Sequence, residues 1–148
     1  MRIVARNVEI KRDVVNADET ERGLRQTLNL GHTLGHAIEA ASDYQLGHGS
    51  SVAAGLCCIA RAAAAKGWCS QETASRIVRT TAAYGLPTDT AVDHKTILGY
   101  AVHDKKRHAS TVNVIVPLAI GQVEIRTLGI DELEELIRLG CGTGCATA

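Results

Sequence analysis

The chain has 148 residues, 45% of them hydrophobic and 22% charged, with 16 basic side chains balanced by 16 acidic ones. That length suits one domain burying roughly 70% of the surface its unfolded chain would expose, and the composition excludes a disordered polyelectrolyte. Zero formal charge removes the basis for nucleic acid as a partner, and no apolar run approaches the about 18 residues of a membrane span.

The opening residues MRIVARNVEIKRD lack the apolar stretch of a signal peptide. Five cysteines fall in no metal-finger spacing, and Cys57 and Cys58 are adjacent in an apolar run. Both features imply reduced thiols and a cytoplasmic location.

Val4, Val8 and Val15 stand at helical spacing in the first segment, with Lys11 and Arg12 between them. Asp18 with Glu21 fits a capping box, which predicts a long second helix from about Glu19 to Ala41. The polar stretch SDYQLGHG separates it from an alanine-rich helix that starts near Ser50 and stops at Gly67. Ser70 caps the next helix, which ends in Gly85 and Pro87, and a shorter one spans about Asp93 to Val102. Alternating β-branched residues on both sides of Leu118 to Gly121 predict a strand pair near residues 110–127. IDELEELIRLG closes the chain as an amphipathic helix. The fold class is therefore mainly α with one short strand pair. One domain is expected over residues 1–140 and a flexible tail over 141–148, where fraying outweighs a redox pair at Cys141 and Cys145.

The stretch LNLGHTLGHAIEA, residues 28–40, carries the chemistry. On one continuous α-helix Arg25, Asn29, His32 and His36 would fall within about 60° of arc. Gly31 and Gly35 cluster with the apolar residues on another face. Each helix-interior glycine costs about 0.5–1 kcal/mol against alanine, so their presence predicts the close approach of a second backbone. A bare HxxxH pair often arises by chance. Three additions strengthen it: the Arg25 and Asn29 extension, His48 in the loop LGHGS, and the basic run DKKRH at 104–108. Three imidazoles near cationic groups suit a divalent ion that polarises an oxygen of a phosphorylated or carboxylated substrate. Spacing alone would make His32 and His36 the ligand pair. Thr33 occupies the place of the glutamate in HExxH, which argues against a zinc protease.

The series KRDVVNADETERGLRQTLNLGHTLGHAIEA, then LGHG, GLP, DKK and PLAIG, resembles the C-terminal half of 3-dehydroquinate synthase over about residues 3–140. The R-x3-N-x2-H-x3-H pattern with a following loop histidine is characteristic of the sugar-phosphate cyclases. The resemblance implies a phosphate-eliminating carbon–oxygen lyase of the shikimate pathway, which serves aromatic amino acid biosynthesis. Such an enzyme converts 3-deoxy-D-arabino-heptulosonate 7-phosphate to 3-dehydroquinate and phosphate, with zinc or cobalt and NAD as cofactors. It implies His32 and His48 as metal ligands, which moves His36 from the metal to substrate contact and proton transfer. It also implies that Lys11, Arg25 and Asn29 hold the substrate's carboxylate, hydroxyls or phosphate. Within DKK, Lys106 is favoured over Lys105 for the anion. Two local features depart from the family pattern. Ser50 stands where many members have glutamate, and Gly47 where leucine is common.

No G-x-G-x-x-G and no βαβ series occurs. The N-terminal NAD-binding domain, which in the family also supplies a glutamate to the zinc, is thus expected to be absent from this chain. Two imidazoles make a weak catalytic zinc site, so the chain by itself is expected to be inactive. Faces that would meet that domain should favour homo-oligomers. Two alternatives remain: a domain of another cyclase, of inosose or valiolone synthase type, and a non-catalytic, self-associating helical module.

Overall fold

The computed structural model describes residues 2–19, 23–103 and 111–142. Helix α1 spans Arg2–Ala17, and a short 3-10 helix follows at Leu24–Asn29. Then come α2 (His32–Ala41), α3 (His48–Ala65), α4 (Gln71–Ala83) and α5 (His94–His103). The hairpin β1 (Thr111–Ala119) and β2 (Gln122–Gly129) leads into α6 (Ile130–Gly140).

Helix α3 is the packing axis, flanked by α2, α4, α6 and β1. Apart from Ile59 its buried side chains are small, among them Ala53, Ala54, Cys57, Cys58, Ala60, Ala62 and Ala63, so neighbouring backbones approach closely. Larger apolar residues fill the layer around it: Leu34 and Ile38 of α2, Ile97 of α5, and Leu133, Leu136 and Ile137 of α6. The hairpin closes one side with Val112, Val114, Val116 and Leu128. Its strands are antiparallel with Val114 opposite Arg126, and the register shifts between Pro117 and Ala119 just before the turn.

The long helix expected from Glu19 to Ala41 is two elements. Leu30 is extended and Gly31 is left-handed at φ 84°, which ends the 3-10 helix and lets α2 start afresh at His32. The common stripe through Arg25, Asn29, His32 and His36 is therefore broken, because a 3-10 turn advances faster per residue than an α-turn. The expected glycine contact is present. A Cβ on Gly35 would lie 2.8 Å from the Val52 Cα, and one on Gly31 would lie 2.9 Å from the Val52 carbonyl oxygen. Asp18 is not the expected N-cap, because the 3-10 helix starts at Leu24 with Gly23 in that position; its carboxylate instead braces the start from upstream, accepting from the Gly23 and Arg25 backbone N–H groups at 2.8 and 3.0 Å. Its expected partner Glu21 lies outside the described residues.

Ser70 caps α4 by accepting from the Thr73 N–H at 3.1 Å. At the other end of the chain, Cys141 and Gly142 belong to the packed body rather than to a tail. Cys141 is buried, and Gly142 N–H donates to Asp89 at 2.9 Å. Residues 143–148, including Cys145, lie outside the described residues. Among those described, Cys57, Cys58, Cys69 and Cys141 are free thiols. No helix among them is long and apolar enough to cross a membrane.

Candidate metal and substrate site

His32 and His48 are the first residues of α2 and α3, and His36 lies one turn along α2. The link between these helices turns through two left-handed residues, Asp43 (φ 51°) and Tyr44 (φ 61°). The Glu39 carbonyl braces it, accepting from the Tyr44 N–H at 2.9 Å and the Ser42 hydroxyl at 2.9 Å. Gly47 follows at φ 74°, ψ 150°, a region open essentially to glycine alone. Helix α3 thus begins at His48, two residues before the expected Ser50. His48 is fixed to a helix N-terminus instead of floating in a loop.

The three imidazoles form a near-equilateral triangle, each pair of ring centroids 5.4 Å apart. One ring nitrogen from each lies within 4.8 Å of the others. Small side-chain rotations reduce such separations to the roughly 3.4 Å edge of a tetrahedral zinc–imidazole site. The outward nitrogens have partners. His32 Nδ1 lies 3.4 Å from the Leu30 carbonyl oxygen, and His48 Nδ1 lies 3.0 Å from Glu39 Oε2. Both partners are acceptors, so each contact is a hydrogen bond with the proton on Nδ1, the tautomer that leaves Nε2 to a metal ion. This donor set fits a divalent ion.

His32 and His36 line a cleft of about 890 Å³ together with Asn29, Thr33, Glu39, Tyr44, Tyr100 and Asn113, among others, while His48 is outside the lining. Asn113 reaches it from β1. Its backbone carbonyl accepts from the Thr33 hydroxyl at 3.3 Å, and its side chain accepts from Thr127 at 2.8 Å. Asn113 thus puts polar groups on this wall, and hydrogen bonds hold it to both α2 and the hairpin.

The structure brings together His32, His36, His48 and Asn29 from the set expected by sequence. Arg25 is directed elsewhere: its guanidinium donates to the Glu19 carbonyl at 3.0 Å, and it does not line the cleft. Lys11 is an exposed residue of α1, also outside the lining. Lys105 and Lys106 lie outside the described residues. Sequence reasoning missed Glu39, although His32, His36 and Glu39 follow the i, i+4, i+7 rule for one helical face. It also missed Asn113 and Tyr100, which no local pattern marks.

Comparison with known proteins adds an independent line. The family described as 3-dehydroquinate synthase C-terminal matches residues 1–107. The 3-dehydroquinate synthase of Pseudoalteromonas atlantica is 44% identical over 132 residues, covering 87% of this chain and 37% of the relative. That of Dehalococcoides mccartyi strain CBDB1 is 45% identical over 105 residues, covering 70% of this chain and 29% of the relative. The Streptococcus suis strain 05ZYH33 protein of the same name is 36% identical over 141 residues, covering 93% and 39%. Among solved structures, 2-deoxy-scyllo-inosose synthase complexed with carbaglucose-6-phosphate, NAD+ and Co2+ superposes with a TM-score of 0.74 at 23% identity, over 90% of this chain and 39% of that one. That likeness establishes a shared fold. The chain spans less than two fifths of the length of each of these curated relatives.

Proposed function

Because the chain belongs to the 3-dehydroquinate synthase family, as its C-terminal domain, we propose that it forms the metal- and substrate-binding part of an enzyme converting 3-deoxy-D-arabino-heptulosonate 7-phosphate to 3-dehydroquinate and phosphate. The observation that carries this reading is the imidazole triangle with 5.4 Å sides, two of whose members, His32 and His36, line a cleft. His32 and His48 would hold a zinc or cobalt ion through Nε2. Bound there, the ion would supply Lewis acidity toward a substrate hydroxyl oxygen.

His36 is the imidazole left to face substrate, where it would take up or return a proton at a hydroxyl. Asn29 and Asn113 offer amide groups to the sugar hydroxyls. Arg25, Lys11 and Lys106 form the anion-binding set. Arg25 would exchange its bond to the Glu19 carbonyl for a forked pair with the substrate carboxylate. A lysine, a mobile point charge, suits the phosphate. NAD, which would accept and return a hydride, is assigned to the portion of the relatives that this chain does not span. The chain by itself is therefore inactive in this reading.

The identities of 44% and 45% to dehydroquinate synthases, against 23% to the inosose synthase, favour the heptulosonate as substrate. Phosphate release from it should be measured for the chain alone and for the chain joined to the N-terminal part of the Pseudoalteromonas relative. The expected result is release from the joined protein only, abolished by His36→Ala, with 3-dehydroquinate as product. Release by the chain alone, or another cyclised product, would overturn the assignment.

A further inference from the structure

We infer that Glu39 is a positioning residue that fixes the tautomer and direction of His48, so that its Nε2 is the atom offered to an ion. The inference rests on the proposed reading of His48 as a ligand. His48 needs such a partner: its side chain is 55% exposed, whereas that of Glu39 is only 17% exposed and anchored on α2. Packing alone leaves a half-exposed imidazole free to rotate. Its neutral form in water favours the proton on Nε2, which would block that nitrogen as a ligand.

The Glu39 carboxylate lies 3.0 Å from His48 Nδ1. A carboxylate accepts only, so the contact selects the Nδ1–H form and leaves the Nε2 lone pair for an ion. The same residue's backbone carbonyl braces the link through Tyr44 and Ser42. Glu39 therefore holds both the imidazole and the turn that delivers it. Ser50, two positions beyond His48, supplies no carboxylate, which leaves this task to α2. Hydrogen-bonded carboxylates behind ligating histidines raise metal affinity by about 10–100-fold.

The test combines imidazole nitrogen NMR on the metal-free, 15N-labelled chain at mildly alkaline pH with calorimetric Co2+ titration. The unaltered chain should show His48 protonated on Nδ1. Glu39→Ala should shift His48 to the Nε2–H form and weaken Co2+ binding about 10–100-fold, with helical circular dichroism retained. Glu39→Gln, whose amide oxygen still accepts, should keep the tautomer and lose less affinity, and it serves if the alanine variant does not fold. An unchanged His48 tautomer in Glu39→Ala, or unchanged Co2+ affinity where His48→Ala removes binding, overturns the inference. If His48→Ala itself leaves Co2+ affinity intact, the ligand reading fails instead, while the tautomer shift still decides the role of Glu39.

Discussion

Gly55 of α3 lies against Gly31 and Gly35 so closely that a Cβ built on it would stand 2.5 Å from the Gly31 carbonyl oxygen and 2.6 Å from the Gly35 nitrogen. Both obstacles are backbone, so no rotamer change relieves them. This crossing fixes the depth at which α2 meets α3, and hence the distance from His32 to His48. Gly55→Ala would gain helix propensity, yet overpacking costs about 1–3 kcal/mol and more where backbone must move. We expect a net loss of stability and a melting temperature lower by roughly 5 °C, with weaker Co2+ binding. A variant as stable as the parent would show that α2 and α3 can separate freely.

The three imidazoles are equidistant, but the proposed roles are not. His32→Ala and His48→Ala should each weaken Co2+ binding by at least about tenfold, with loss of the visible absorption of a tetrahedral cobalt site. His36→Ala should change affinity by less than either. Equal losses from all three variants would make His36 a ligand and refute its assignment to the substrate.

Arg61 joins three segments. Its guanidinium donates to the Gly140 carbonyl at 2.7 Å and the Thr88 carbonyl at 2.9 Å, and pairs with Asp89 at 3.0 Å. Lysine cannot reproduce this fork. Arg61→Lys should therefore lower unfolding free energy by on the order of 1–3 kcal/mol, since carbonyls lose their donors. Urea denaturation with an unchanged m-value would register it. No shift in midpoint would mean that water replaces the lost bonds without penalty.

Cys57 and Cys58 should be inert in the folded chain. Burial pushes the Cys57 thiol up, and a hydrogen bond with Cys141 together with burial holds Cys58 far above its ordinary range. A raised pKa keeps the thiol protonated at neutral pH, and the thiolate is the reacting form. Iodoacetamide labelling followed by mass spectrometry should leave Cys57 and Cys58 unmodified until denaturant is added. Rapid labelling of either in the native state would contradict this packing.

Helix α1 has no buried residue, and its Ile3, Val4 and Val8 are more than half exposed. An apolar face of this kind favours association. Light scattering should therefore show the purified chain larger than a monomer, and Val4→Asp combined with Val8→Asp should reduce that mass. A monodisperse monomer before mutation would remove this expectation.

The sequence by itself determined the kinds of elements and where most of them stop. Hydrophobic period, the Ser70 cap and the β-branched alternation near residues 110–127 report mainly local backbone preferences, which most of these elements keep in the packed chain. It also determined His32 and His36, neighbours on one helix, and the glycines that announce a close backbone. The tertiary structure decided what depends on how helices cross. Leu24–Asn29 satisfies a helical pattern, but the break at Leu30–Gly31 is coupled to the approach of Val52 and Leu56 from α3. Asn113 reaches Thr33 across 80 residues of chain, and His48 enters the triangle only because the turn after Glu39 and the backbone of Gly47 deliver it there. Local periodicity cannot encode such distances, since they are set by side-chain volumes on two different elements at once.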